Sequence, residues 1–147
     1  MLSNTCKYGI RAVLYLAQND KENELIGIKR ISHDLNIPMP FLGKILQTLA
    51  KQKLLNSTKG PHGGFKLARK ANKISLMDVV EVLDGLDVFS TCMISLSSCA
   101  ESHSDKFHCP IHEKYESIKE QTIKLFNDET FSSLLSDVEK SGKRIKI

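Results

Sequence analysis

The residues of this chain with the most chemistry to offer lie in the segment STCMISLSSCAESHSDKFHCPIH, from Ser90 to His112. Its 23 residues hold three of the four cysteines, Cys92, Cys99 and Cys109, and three of the five histidines, His103, His108 and His112. Thiolates and imidazoles are ligands that suit zinc, iron and iron–sulfur clusters. Six and nine residues separate the successive cysteines, and two stand between Cys109 and His112. Structural zinc sites usually pair their ligands at short CxxC-type spacing, which no two of these cysteines have. The same thiols could instead form a metal-free switch that closes a disulfide under oxidants.

Such clustered cysteines point to metal or redox chemistry where thiols stay reduced. A cytoplasmic location is expected here. Lys7 and Arg11 interrupt the only apolar start, so no signal peptide is read there, and no apolar run approaches the roughly 18 residues needed to span a bilayer. The formal net charge of +4 is unevenly spread: residues 1–75 carry 13 Lys+Arg against 4 Asp+Glu, the rest 8 against 13. A basic first half is the electrostatic footprint of a polyanion partner, with no membrane implied.

The elements that must position these groups read as mainly helical. Tyr8, Ala12 and Leu16 make one stripe of a helix over Thr5–Gln18. Ile28, Ile31 and Leu35 make the stripe of a second helix, which Asn36-Ile37-Pro38 ends because proline disfavours helical backbone before it. Pro40 suits the first turn of a third helix, whose buried stripe is Leu42, Ile45, Leu46 and Leu49. Gly43, Lys44, Gln47, Thr48 and Lys51 form its polar face. Two short helices with a tight turn match a helix-turn-helix, or an ordinary helical hairpin.

The next residues favour the former. A β-compatible run at Leu54–Lys59 leads into Gly60-Pro61-His62-Gly63-Gly64 and a second run at Phe65–Ala68. Three glycines and a proline in five residues make a hairpin tip, decorated by Lys59, His62, Lys66, Arg69 and Lys70. A basic hairpin directly after a helix-turn-helix is a winged helix. Neither the P-loop nor the dinucleotide fingerprint occurs. Ser75 can cap a helix over Leu76–Leu83, closed by Gly85. Beyond the cysteine loop, Ile111, Tyr115, Ile118, Thr122 and Leu125 form one stripe of a long helix, and Asp128–Val138 can add a short last one. A lone stripe of that length needs a partner, and a second copy of the chain is the simplest.

Taken together the chain resembles the Rrf2 family of bacterial winged-helix transcription regulators. The resemblance rests on Tyr8-Gly9-Ile10-Arg11-Ala12-Val13, the helix-turn-helix, the wing Lys59-Gly60-Pro61-His62-Gly63-Gly64-Phe65, and the loop ending Cys109-Pro110-Ile111-His112. It implies a homodimer on double-stranded operator DNA. Residues 1–75 would be the DNA-binding domain, and residues 76–147 would hold a helix, the cysteine loop (90–112) and the dimerisation helix (111–126). It also implies recognition positions at Met39, Phe41, Gly43, Lys44 and Gln47, wing contacts at Lys59, Gly60, Pro61 and His62, and phosphate contacts from Lys44, Lys51, Lys66 and Arg69. Gly43 can make neither a bidentate nor an apolar base contact. Family members that read specific sites often carry glutamate there, a departure that leaves the operator sequence open.

The resemblance further implies an iron–sulfur cluster on Cys92, Cys99, Cys109 and His112, 2Fe–2S ahead of 4Fe–4S, that reports iron–sulfur status, nitric oxide or redox state. The stretch between Cys99 and Cys109 is longer than in the best-known cluster-binding members, so His103, His108 or an N-terminal residue of a partner chain stay open as a fourth ligand. Cys6 reads as a small half-buried residue at a helix start. No nucleophile–base pair sits in a recognisable motif, so no enzyme is expected. An iron–sulfur electron carrier would not need the basic half, and a protein-binding adaptor would not need the wing's cations.

Overall fold

A computed structural model describes residues 2–21, 24–94 and 109–142. Within them the chain runs α1 (Asn4–Gln18), α2 (Ile28–Leu35), α3 (Met39–Lys51), β1 (Leu55–Thr58), β2 (Gly64–Leu67), a 3-10 turn (Ala71–Lys73), α4 (Leu76–Leu83), α5 (Asp87–Ser90), α6 (His112–Asp128) and α7 (Phe131–Ser141). The architecture is the expected one: mainly α, with a small antiparallel hairpin. Neither the four-residue α5 nor the 3-10 turn was foreseen.

Each boundary has a local cause. The Ser3 hydroxyl opens α1 by accepting from the Cys6 N–H at 3.0 Å. Asn36 closes α2 in the left-handed region, at φ 52° and ψ 46°, a conformation asparagine tolerates. The Ser32 hydroxyl then donates to the Ile37 carbonyl at 2.6 Å, which locks the turn into α3. Ser75 with Asp78, and Thr130 with Ser133, form reciprocal caps at the starts of α4 and α7.

The hairpin pairs Leu55 with Leu67 and Thr58 with Gly64. Ile26 extends it as an isolated bridge, exchanging two 2.9 Å hydrogen bonds with Phe65. One core joins these parts: Ala12, Val13, Ile31, Leu42, Leu46, Leu49, Ile74, Val79 and Phe131 are each fully shielded from solvent. Phe131 arrives from the far end of the chain. The Ser75–Thr130 bridge brings it in by pairing the entries of α4 and α7, with the Phe131 N–H donating to the Ile74 carbonyl at 3.1 Å.

Helix α6 has two apolar faces. Phe126 packs edge-on to Phe89 of α5 at 5.8 Å, and Ile123 lines a groove of about 450 Å³ with Met77, Leu86 and Phe89. The stripe read from the sequence lies to one side of this contact, and its Ile118 and Leu125 are 56% and 53% exposed.

Candidate nucleic-acid interface and thiol site

Residues buried on the far side of α3 determine how its outer face is presented. Leu42, Ile45, Leu46 and Leu49 sink into the core, leaving Met39, Phe41, Lys44, Gln47 and Lys51 exposed. Helix α1 holds the other two in place. Gly9 lets α1 approach α4 closely, because a Cβ there would meet Leu83 Cδ1 of that helix. The Arg11 guanidinium stands 5.7 Å from the Tyr8 ring centroid, and its Nη2 donates to the Leu35 carbonyl at 3.2 Å, capping the end of α2. Tyr8 in turn meets Phe41 edge-on, at 5.6 Å and 87°. The Tyr15 hydroxyl donates to Asp34 at 2.5 Å, a second tie between α1 and α2. That bond, followed by the one to His33, holds the Asp34 carboxyl below its ordinary value, while burial first and Asp34 second push the Tyr15 phenol up.

The wing has an equally local explanation. Gly60 sits at φ +108°, where a side chain would strain the backbone. A Cβ at Gly64 would lie 2.4 Å from the Ile26 carbonyl oxygen, so this glycine is what lets the Ile26 bridge close. Lys59, Gly60, Pro61 and His62 project into solvent and Lys66 is half-buried. Arg69 differs from the other cations because it pairs with Asp78 at 3.6 Å.

Of the four residues expected as ligands, Cys92 and Cys109 come together. They are 5% and 6% exposed and form one buried cluster, with Ile111 packed against it. Helix α5 directs the chain into Cys92, as the Asp87 carbonyl accepts from both the Thr91 N–H and its hydroxyl, at 3.0 and 2.8 Å. His112 is the first residue of α6, and its N–H donates to the Cys109 carbonyl at 3.2 Å. Cys99, His103 and His108 lie outside the described residues. Two shielded thiols are ligands that suit a soft or borderline metal rather than a hard cation, and among the described residues no third Cys, His, Asp or Glu joins them in a group that could hold a metal ion.

Cys6 belongs elsewhere. It is fully buried, not half-buried as expected, and burial followed by the charge of Asp84 pushes its thiol up to about 12. Asp84 is held by the Ser3 N–H at 2.7 Å and by the Ser3 hydroxyl. Sequence reading missed this tie, because the two residues stand 81 positions apart and carry no motif.

Comparison with known proteins matches this arrangement to one family. Residues 2–137 match the profile of Rrf2, described as an iron-dependent transcriptional regulator. The chain belongs to the Rrf2 family. As an Rrf2 protein it is a transcriptional regulator and not an enzyme. It is 32% identical over 140 residues to an HTH-type transcriptional regulator of Aquifex aeolicus, covering 95% of this chain and 94% of that one. It is 27% identical to the transcriptional regulator NsrR of Shouchella clausii, over 91% and 94% of the two chains. Among solved structures, the IscR of T. potens superposes with TM-score 0.73 at 22% identity, over 98% and 92% of the chains. CymR, the global cysteine regulator of B. subtilis, gives 0.74 at 20%, over 92% and 96%. These two likenesses establish the fold.

Proposed function

We propose that this Rrf2 regulator is a homodimer that binds operator DNA under the control of an iron–sulfur cluster held by Cys92, Cys99, Cys109 and His112. The observation that carries the reading is the shared burial of Cys92 and Cys109, which brings two thiols 17 positions apart into one cluster at the start of α6. The iron-dependent description of the family agrees with that donor set. Bound there, a cluster would supply an acid-labile, redox-sensitive crosslink between α5, Cys99 and α6. The residues' own part is to hold it: α5 aims Cys92, Ile111 shields the pair, and the first turn of α6 carries His112.

DNA contact falls to Met39, Phe41, Lys44, Gln47 and Lys51 on α3 and to Lys59, Gly60, Pro61, His62 and Lys66 on the wing. The exposed stripe of α6, together with Leu86, Met93 and Ile94 at 50%, 62% and 64% exposure, supports pairing with a second copy. Protein purified without oxygen tests the cluster directly. Brown protein with iron and sulfide in matched amounts, lost in Cys92→Ala, Cys99→Ala and Cys109→Ala, is the expected result. Colourless protein holding one zinc per chain overturns it.

The packing of Cys92 with Cys109 also favours a second reading, a metal-free thiol switch. There a peroxide takes two electrons and two protons from a pair of thiols, a disulfide forms and the peroxide is reduced to water. A structural neighbour, the CymR of Staphylococcus aureus, is known in an oxidized form. Metal-free protein whose DNA affinity changes reversibly with peroxide would select this second reading.

A further inference from the structure

The first turn of α3 reads Pro38-Met39-Pro40-Phe41, and all four residues are exposed. None of their side chains carries a nitrogen or oxygen. Gly43 adds no side chain, and the Ile28 Cδ1 methyl stands 3.3 Å from where its Cβ would be. The leading end of the recognition helix therefore has no side-chain hydrogen bond to offer a base. What it presents is apolar: Met39 is 41% and Phe41 37% exposed.

Phe41 is not free to fold away. Its ring is held edge-on by Tyr8, Tyr8 lies under the Arg11 guanidinium, and Arg11 is tied to the Leu35 carbonyl. Met39, on the opposite flank of the same turn, has an unbranched side chain able to follow an irregular surface. In the major groove the 5-methyl of thymine is the apolar feature among the base edges, and the other bases offer donors and acceptors there.

We propose that Met39 and Phe41 read thymine 5-methyl groups, so that operator specificity at the tip of α3 is set by apolar contact. The inference rests on the DNA-binding reading above and adds what the DNA must carry. Lys44 and Gln47, one turn on, keep their polar ends for phosphate and for base edges, and Gln47 has the bidentate geometry that suits adenine.

The test needs no variant to begin. Binding sites are selected from random double-stranded DNA with the intact protein, and the winning site is then remade with uracil in place of thymine, one position at a time, at one fixed salt concentration. At the contacted positions each lost methyl should weaken binding about fourfold, the loss expected for one buried methyl-sized group. Met39→Ala and Phe41→Ala should each erase the uracil penalty at its own position while still binding DNA. A selected site whose uracil form binds as tightly as the thymine form overturns the inference and leaves DNA binding standing. Failure to enrich any DNA sequence removes the underlying reading and this inference with it.

Discussion

Replacing Gly64 by alanine should loosen the wing from the body of the protein. The added Cβ would stand 2.4 Å from the Ile26 carbonyl oxygen and 2.9 Å from the Gly27 nitrogen. Both are backbone atoms, which cannot swing aside as a flexible side chain does, so β2 must move away from the Ile26 segment. The first casualties are the two 2.9 Å hydrogen bonds between Ile26 and Phe65, each contributing about 1 kcal/mol. Ile26 and Phe65, now 4% and 9% exposed, lose part of their contact as well. Forcing a methyl into a closed site adds about 1–3 kcal/mol. A total of about 3–5 kcal/mol is a large share of the roughly 5–15 kcal/mol that holds a domain together. With a urea dependence of about 1–3 kcal/mol per molar, the midpoint should fall by about 2 M at fixed protein concentration. DNA affinity should fall too, because Lys59, His62 and Lys66 ride on the displaced hairpin. Gly60→Ala is the control: nothing lies within 4 Å of its Cβ, so only the φ of +108° is penalised and the shift should be smaller. A Gly64→Ala midpoint within about 0.3 M of the parent, a small fraction of the roughly 2 M shift expected, would refute the close-approach argument.

Phe131→Ala should cost about 3–5 kcal/mol, since the ring is fully buried in the common core, and equilibrium unfolding would show a lower midpoint for the whole domain rather than for α7 alone. Lys59→Ala should weaken binding to many DNA sequences alike and reduce the salt slope by about one, and an unchanged slope would move the wing away from the phosphates. Tyr15→Phe bears on acid stability. Asp34 is depressed below 3.8 in the folded chain, so its contribution is present above that value and is lost as pH falls below it. The variant should show a weaker acid-side dependence in a thermal-unfolding pH series, since the Tyr15 bond is its largest single cause, ahead of the bond to His33. Cys6 is raised from 9.0 to about 12, so its contribution is present below pH 9.0 and is lost as pH climbs toward 12. At neutral pH it should resist alkylation in native protein and react on unfolding, and rapid labelling of the native chain would contradict its burial.

Local chemistry made much of this protein legible in advance. Periodic apolar stripes and Pro38 place the helix-turn-helix, because a 3.6-residue repeat and a restricted backbone are properties of short segments. Ser75 announces α4, which spans Leu76–Leu83 as expected, because a cap acts within one turn. The concentration of thiols and imidazoles between Ser90 and His112 is likewise visible in the sequence, whereas the ligand set Cys92, Cys99, Cys109 and His112 is what the family resemblance implies and is a proposal. Three things depended on atoms distant in sequence. The need for glycine at position 64 comes from the Ile26 backbone, 38 positions earlier. The place of Phe131 comes from the pairing of Ser75 with Thr130, which no periodicity encodes. The meeting of Cys92 with Cys109 joins residues 17 positions apart, which no local pattern encodes. Sequence by itself determined most of the elements and which side chains could carry chemistry, since propensity, capping and ligand type act over a few residues. Tertiary structure decided which of those side chains meet, because contact between distant residues exists only once the core has closed around them.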